Sequence, residues 1–230
     1  MPGRVAMVTG AAGAIGGAVA ATLAEDGFHV VGVDVAAGAD EVADVRSEPE
    51  LIALRGRLAA GAGAPWLLVN VAGAFFEHRI TELAVEDWDL LLDTNLKGTF
   101  LTCKTFLPAM IEARSGCIVN IASTAGLAGG RTRAAYCAAK AGVVNLTRSL
   151  AIDHGPDGVR INCVCPGLID TPMADWIRTD AGRLHEWEMT VPAQRIGTVG
   201  DVAGAVSFLA SDAASYMHGS VVRVDGGVLA

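Results

Sequence analysis

The stretch Thr9-Gly-Ala-Ala-Gly-Ala-Ile-Gly16 decides the fold; it follows the apolar run Val5-Ala-Met-Val8 and leads into Gly17-Ala-Val-Ala-Ala-Thr-Leu23. A short apolar run reads as a buried strand, and apolar residues at three-to-four spacing over about 15–26 read as a helix. Glycine between the two lets the chain turn tightly and lets backbone approach a pyrophosphate. The helix amino terminus adds free N–H groups and a positive dipole end. Position, more than composition, therefore predicts a phosphate-cradling turn built from Gly10, Gly13, Ala14, Ile15 and Gly16.

Outward from that turn, strand-like and helix-like segments alternate. Strand-like runs fall at 5–8, 30–34, 66–70, 117–121, 159–164 and 220–224, and helix-like segments at about 15–26, 49–60, 86–112, 134–153 and 200–210. This alternation predicts an α/β chain, a doubly wound parallel β-sheet with helices on both faces, and the layout resembles a dinucleotide-binding (Rossmann) fold. No repeat, linker or low-complexity tract interrupts it, so residues 1–230 read as a single domain. The long stretch at about 171–198 lacks a strand period and carries Met173, Trp176, Trp187 and Met189. It reads as a lid over an active site.

Bulk properties narrow the partners. A formal charge of −8 without a basic stripe argues against a nucleic-acid partner and favours a small molecule. No uninterrupted apolar run is long enough to span a bilayer, and the amino terminus enters a strand-like run rather than a secretory signal. The expectation is a soluble cytoplasmic protein with no membrane partner. Five cysteines, at 103, 117, 137, 163 and 165, form no Cys-x-x-Cys pair and read as reduced thiols, with no metal site expected.

Two further features point to chemistry. Asp34 ends the second strand-like run, eighteen residues beyond Gly16, where a carboxylate can accept hydrogen bonds from an adenosine ribose and repel a 2′-phosphate. Neither the loop from 10 to 16 nor the residues just after Asp34 supply an arginine or lysine, so NAD is expected over NADP. Tyr136 and Lys140 lie four apart in Tyr-Cys-Ala-Ala-Lys, a spacing that puts both on one helix face. An ammonium beside a phenol is expected to lower the phenol pKa and suit it to proton exchange.

Together these motifs resemble the short-chain dehydrogenase/reductase family across nearly the whole chain. Besides the glycine loop and Tyr136/Lys140, the resemblance rests on Asp44-Val45, Asn70-Val-Ala-Gly73, Asn95, Ser123, Asn162, Pro166-Gly167, Thr171 and Asp225-Gly-Gly227, in family order. It implies an NAD-dependent oxidoreductase that interconverts a secondary alcohol and a ketone, commonly as a homotetramer. An NADPH-dependent 3-oxoacyl-thioester reductase and a non-catalytic dinucleotide sensor are the alternatives. Tyr136 would exchange the proton, Ser123 would bond the substrate oxygen, and Asn95 would bind a water joining Lys140 to solvent. Lys140 would also hold the nicotinamide ribose. Asp44 and Val45 would contact the adenine, Asn70, Ala72 and Gly73 would line the cofactor floor, and Pro166, Gly167, Ile169 and Thr171 would border the nicotinamide.

Departures from the family pattern are Ala14 at the usual middle glycine, Val71 at a common second asparagine, and a segment between Asp34 and Asp44 too short for a full helix and strand. Asn162 reads as structural and Asp225-Gly-Gly227 as a terminal turn. For the substrate, Phe75, Phe76, His78 and the lid aromatics predict an apolar pocket, with Arg178, Arg183 and His185 as candidates to steer a carboxylate.

Overall fold

The computed structural model describes residues 3–230. Seven parallel strands form one sheet: β1 (Val5–Thr9), β2 (His29–Asp34), β3 (Glu41–Val42), β4 (Leu67–Asn70), β5 (Gly116–Ile121), β6 (Val159–Pro166) and β7 (Val221–Val224). Their spatial order is β3-β2-β1-β4-β5-β6-β7. The helices are α1 (Ala14–Glu25), α2 (Glu48–Ala60), α3 (Val85–Leu92), α4 (Gly98–Glu112), α5 (Ala134–His154), α6 (Asp175–Arg178), α7 (Ala181–Glu188) and α8 (Val199–Ala210).

Alternation along β1 explains why the sheet is covered on both sides. Val5 and Met7 pack with Leu51 and Leu54 of α2 and Phe106 of α4. Ala6 and Val8 face the other way, toward Val19 and Leu23 of α1 and Val202 and Val206 of α8. Every residue of β1, β4 and β5 is buried, as strands covered on both faces must be. Strand order reverses between β1 and β4, and the crevice beyond the carboxyl ends at that point is where such sheets bind ligands.

The doubly wound expectation holds, with two differences in the elements. The short segment after Asp34 carries no helix but does form β3, a two-residue edge strand paired Val33 to Glu41 and Asp34 to Val42. The helix expected over 86–112 is divided by a π-helical turn at Asp93–Lys97, which apolar spacing does not reveal.

A buried polar chain ties the sheet to its helices. Thr102 Oγ1 donates to Asn70 Oδ1 (2.7 Å), Asn70 Nδ2 donates to Asn120 Oδ1 (2.8 Å), and Asn120 Nδ2 donates to Thr147 Oγ1 (2.9 Å). Each of these buried amides has a partner, which removes the cost of burying it. The side chain of Asn70, expected on the cofactor floor, is therefore turned into the body of the fold. Asn162 is structural as expected, joining Met217 O and the Ser220 N–H.

Candidate active site

The glycine loop is held by close backbone approach. Gly10 has φ +68°, and a Cβ there would lie 2.8 Å from the Ala72 backbone; a Cβ on Gly16 would lie 2.1 Å from Gly10 O. Thr9 Oγ1 accepts the N–H groups of Val71 (3.1 Å) and Ala72 (3.2 Å), fastening the end of β1 to the segment after β4. Gly13 is the N-cap of α1, and its side-chain-free terminus leaves backbone N–H groups facing outward. Ala14, the departure from the usual glycine, is exposed, so its methyl group crowds nothing inside the loop.

Asp34 reaches across to the same loop. Its carboxylate accepts the Ala12 N–H (3.0 Å) and the Ala36 N–H (3.1 Å). Farther along, Asp44 is gripped by Arg46 (2.6 Å between Nη2 and Oδ2), which holds its carboxyl below the usual range, while Val45 is buried against Gly98. Gly10, Gly13, Ala14, Gly16, Asp34, Asp44, Val45 and Ala72 lie outside the lining of the cleft described next.

The remaining predicted residues converge. A cleft of about 330 Å³ is lined by Ile15, Gly73, Asn95, Ser123, Tyr136, Lys140, Pro166, Gly167, Ile169 and Thr171. Tyr136 sits in the first turn of α5 and Lys140 one turn later, with Lys140 Nζ 5.7 Å from the Tyr136 ring centroid. Lys140 is 4% exposed and donates to Ile121 O at 3.0 Å. Ser123 caps a short turn, its Oγ accepting the Ala125 N–H at 3.1 Å, so its own proton remains available to donate.

Asn95 owes its placement to the π-helical turn. Its Nδ2 donates to Ala74 O and Leu91 O, both at 2.9 Å, which leaves Oδ1 buried without a partner among the described residues. A Cβ on Gly73 would lie 2.6 Å from that Oδ1 and 3.5 Å from Lys140 Nζ. Both polar atoms thus face one small space that only glycine leaves open.

The electrostatics correct one expectation. Burial pushes the Tyr136 phenol up to about 12, with the Ser123 hydroxyl and the Arg133 charge pulling the other way. Burial also draws the Lys140 ammonium down to about 8. The four-residue spacing predicts a phenol lowered by the lysine; instead a low-dielectric setting disfavours both charged forms. Such a phenol holds its proton and becomes a base only when positive charge is brought beside it.

The substrate end of the cleft differs from its sequence reading. Phe75, Met173, Trp176 and Trp187 line it, whereas Phe76, His78 and Met189 do not. Arg178 is held by Asp170 (2.5 Å) and Asp175 (2.7 Å), and Arg183 and His185 stay outside the lining. Arg133, Leu168, Val228 and Leu229 also line the cleft, though no sequence motif marks them. Arg133 precedes Tyr136 by three residues, a helical spacing that is the one signal able to flag it. The Asp225-Gly-Gly227 turn, in which Asp225 accepts the N–H groups of Gly227 and Leu229, folds the chain end into place.

A family model described as enoyl-(acyl carrier protein) reductase matches residues 10–229. The chain belongs to the short-chain dehydrogenase/reductase family. It is 42% identical to the cis-4-hydroxycyclohexanecarboxylate dehydrogenase of Sinomonas cyclohexanicum, over 99% of this chain and 97% of that one. It is 34% identical to a 3-oxoacyl-(acyl-carrier-protein) reductase of Chlamydia muridarum, over 98% and 97% of the two chains. A solved structure described as an NAD(P)-dependent gluconate 5-dehydrogenase of Beutenbergia cavernae, with bound NADP, superposes with a TM-score of 0.93 at 37% identity, covering 100% of this chain and 98% of that one. This short-chain dehydrogenase/reductase is an NAD(P)-dependent oxidoreductase acting on CH–OH groups.

Proposed function

We propose that the chain is an NAD-preferring dehydrogenase that interconverts a secondary alcohol and a ketone, with Tyr136 as the proton-exchanging group. The observation that carries this reading is the convergence on one cleft of Tyr136, Ser123, Lys140 Nζ and the unpartnered Asn95 Oδ1. In the proposed arrangement the loop from Gly10 to Gly16 cradles the pyrophosphate and Asp34 bonds the adenosine ribose. Asp44 and Val45 border the adenine, and Ala72 and Gly73 form the floor, with Asn70 behind it. Pro166, Gly167, Ile169 and Thr171 border the nicotinamide, and Lys140 grips its ribose. Bound nicotinamide dinucleotide supplies the hydride acceptor for alcohol oxidation and the donor for ketone reduction.

The protein's share of the reaction is proton handling and positioning. With the positive charge of an oxidised nicotinamide beside it, Tyr136 would stand as the phenolate; Ser123 Oγ would then donate to the substrate oxygen, Tyr136 Oη would take the hydroxyl proton, and the carbinol carbon would become a carbonyl carbon by passing its hydride to the bound dinucleotide. The proton then leaves past Lys140 and Asn95 Oδ1, whose free acceptor suits a bridging water. The stretch at 171–198, folded as short helices around Trp176 and Trp187, excludes water from the reacting atoms.

Asp34 supports the NAD preference. Two backbone N–H groups aim its carboxylate at the loop, and lone pairs remain for ribose hydroxyls. Arg46, the first basic residue after Asp34 in the chain, is committed to Asp44 and does not offset repulsion of a 2′-phosphate. Losing a charged hydrogen bond and adding repulsion favours NAD by roughly ten- to a hundredfold. Exposed Phe100 on α4 and Ile152 on α5 support assembly of several copies through those helices, which sedimentation reads directly. A cytoplasmic location fits the reduced thiols of the sequence.

A panel of secondary alcohols and ketones with NAD(H) and NADP(H), followed by nicotinamide absorbance, tests the reading. Turnover of a secondary alcohol with NAD at least tenfold preferred is expected. Turnover confined to 3-oxoacyl thioesters with NADPH, the alternative suggested by the Chlamydia relative, would overturn it.

A further inference from the structure

Among the residues lining the cleft, the charged side chains are Lys140 and Arg133, and no carboxylate is present. Lys140 is buried at the reacting end on Ile121 O. Arg133 stands at the substrate end. Its guanidinium carbon lies 5.3 Å from the Phe75 ring centroid and 5.0 Å from that of Trp176. Its Nε donates to Glu77 Oε1 at 2.5 Å. Glu77 therefore fixes one edge of the fork and the aromatic rings fix its plane, while Nη1 and Nη2 have no acceptor among the described residues. A guanidinium keeps its charge at any working pH, and two parallel N–H groups match the two oxygens of a carboxylate.

Building on the proposed alcohol–ketone activity, we infer that the substrate is a compact hydroxy acid, or the matching oxo acid, whose carboxylate docks on the Nη1/Nη2 edge of Arg133 while its hydroxyl meets Tyr136. Phe75 touches both ends of this span, since its ring centroid lies 5.0 Å from that of Tyr136. The contacts of 5.3 Å and 5.0 Å bound the separation of the guanidinium carbon from the Tyr136 ring centroid at their sum, about 10 Å, and so bound its separation from the phenol oxygen at roughly 13 Å. After room for the carboxylate contact, that leaves a spacer no wider than about one carbon ring. The apolar walls suit such a spacer, and they strengthen the ion pair by excluding water. A neutral thioester would leave the Arg133 edge unpaired.

The test uses the enzyme saturated with NADH and follows the fluorescence of Trp176 and Trp187, which line the same cleft. Cyclohexanecarboxylate and its methyl ester, neither of which can react, are titrated into the wild type and Arg133→Gln. The acid is expected to bind wild type roughly thirty- to a hundredfold tighter than the ester, and Arg133→Gln is expected to bind the two about equally. Unchanged NADH binding in the variant establishes that it is folded. Arg133→Lys, which keeps the charge and loses the fork, should retain only part of the preference. Equal binding of acid and ester by wild type, or a preserved acid preference in Arg133→Gln, would overturn the inference. If the acid preference depends on Arg133 yet no alcohol in the panel is turned over, the dehydrogenase reading fails while the carboxylate site stands. Turnover of neutral alcohols without an acid preference removes the carboxylate site and leaves the dehydrogenase reading in place.

Discussion

The two halves of the ligand-binding crevice are built on different principles. On the side of β1 and β2, recognition comes from backbone: a loop whose Cβ positions are forbidden at Gly10 and Gly16, N–H groups at the start of α1, and one carboxylate held by two backbone N–H groups. On the side of β6 and the stretch at 171–198, it comes from side chains, with Trp176, Trp187 and Met173, joined by Arg133 from the start of α5, around an open space. Backbone recognition tolerates almost no change in shape, because a displaced carbonyl has nowhere to go. Side-chain recognition tolerates substitution and allows the family to change substrates on one scaffold.

The largest effect expected from this contrast is at Gly16. Gly16→Ala brings a methyl group to 2.1 Å from Gly10 O, so the loop must shift, and dinucleotide affinity should fall by roughly a hundredfold or more in calorimetric titration. Ala14→Gly is its natural control, since that methyl group is exposed and its removal should change affinity only slightly. A Gly16→Ala protein with normal affinity would erase the proposed difference between the halves. The smallest effect is expected across the crevice. Trp187→Ala should raise KM for the substrate several-fold by opening the cleft, with the dinucleotide Kd unchanged. A change in dinucleotide Kd instead would mean that the two halves are not separable.

Legibility in the sequence follows the same division. The parallel sheet, the glycine loop and the Tyr136/Lys140 pair are readable because backbone geometry demands particular residue types at particular spacings, whereas Ser123 and Asn95 are readable only through the family resemblance. The placement of Asn95 is readable only as a motif, since the π-helical turn that aims it leaves no periodic trace. The chain between Asp34 and Asp44 is too short for a full helix and strand, and it keeps only a two-residue pairing at the sheet edge, which no apolar run marks. Burial, which depends on the whole fold, reverses the expected direction for the Tyr136 phenol. Arg133 does not stand out beside Arg178 because sequence does not say which arginine already has an acid; Asp170 and Asp175 claim Arg178, and Glu77 claims only one edge of Arg133.

Replacement of Tyr136 by phenylalanine tests the central claim most directly, because it removes one oxygen from the point where the two halves meet. With NADH binding and the steady-state rate measured on the same preparation, Tyr136→Phe should retain dinucleotide affinity within a few-fold and lose turnover by roughly a thousandfold or more. Turnover within about tenfold of the wild type would contradict the account, because the proton would then be exchanged by another group.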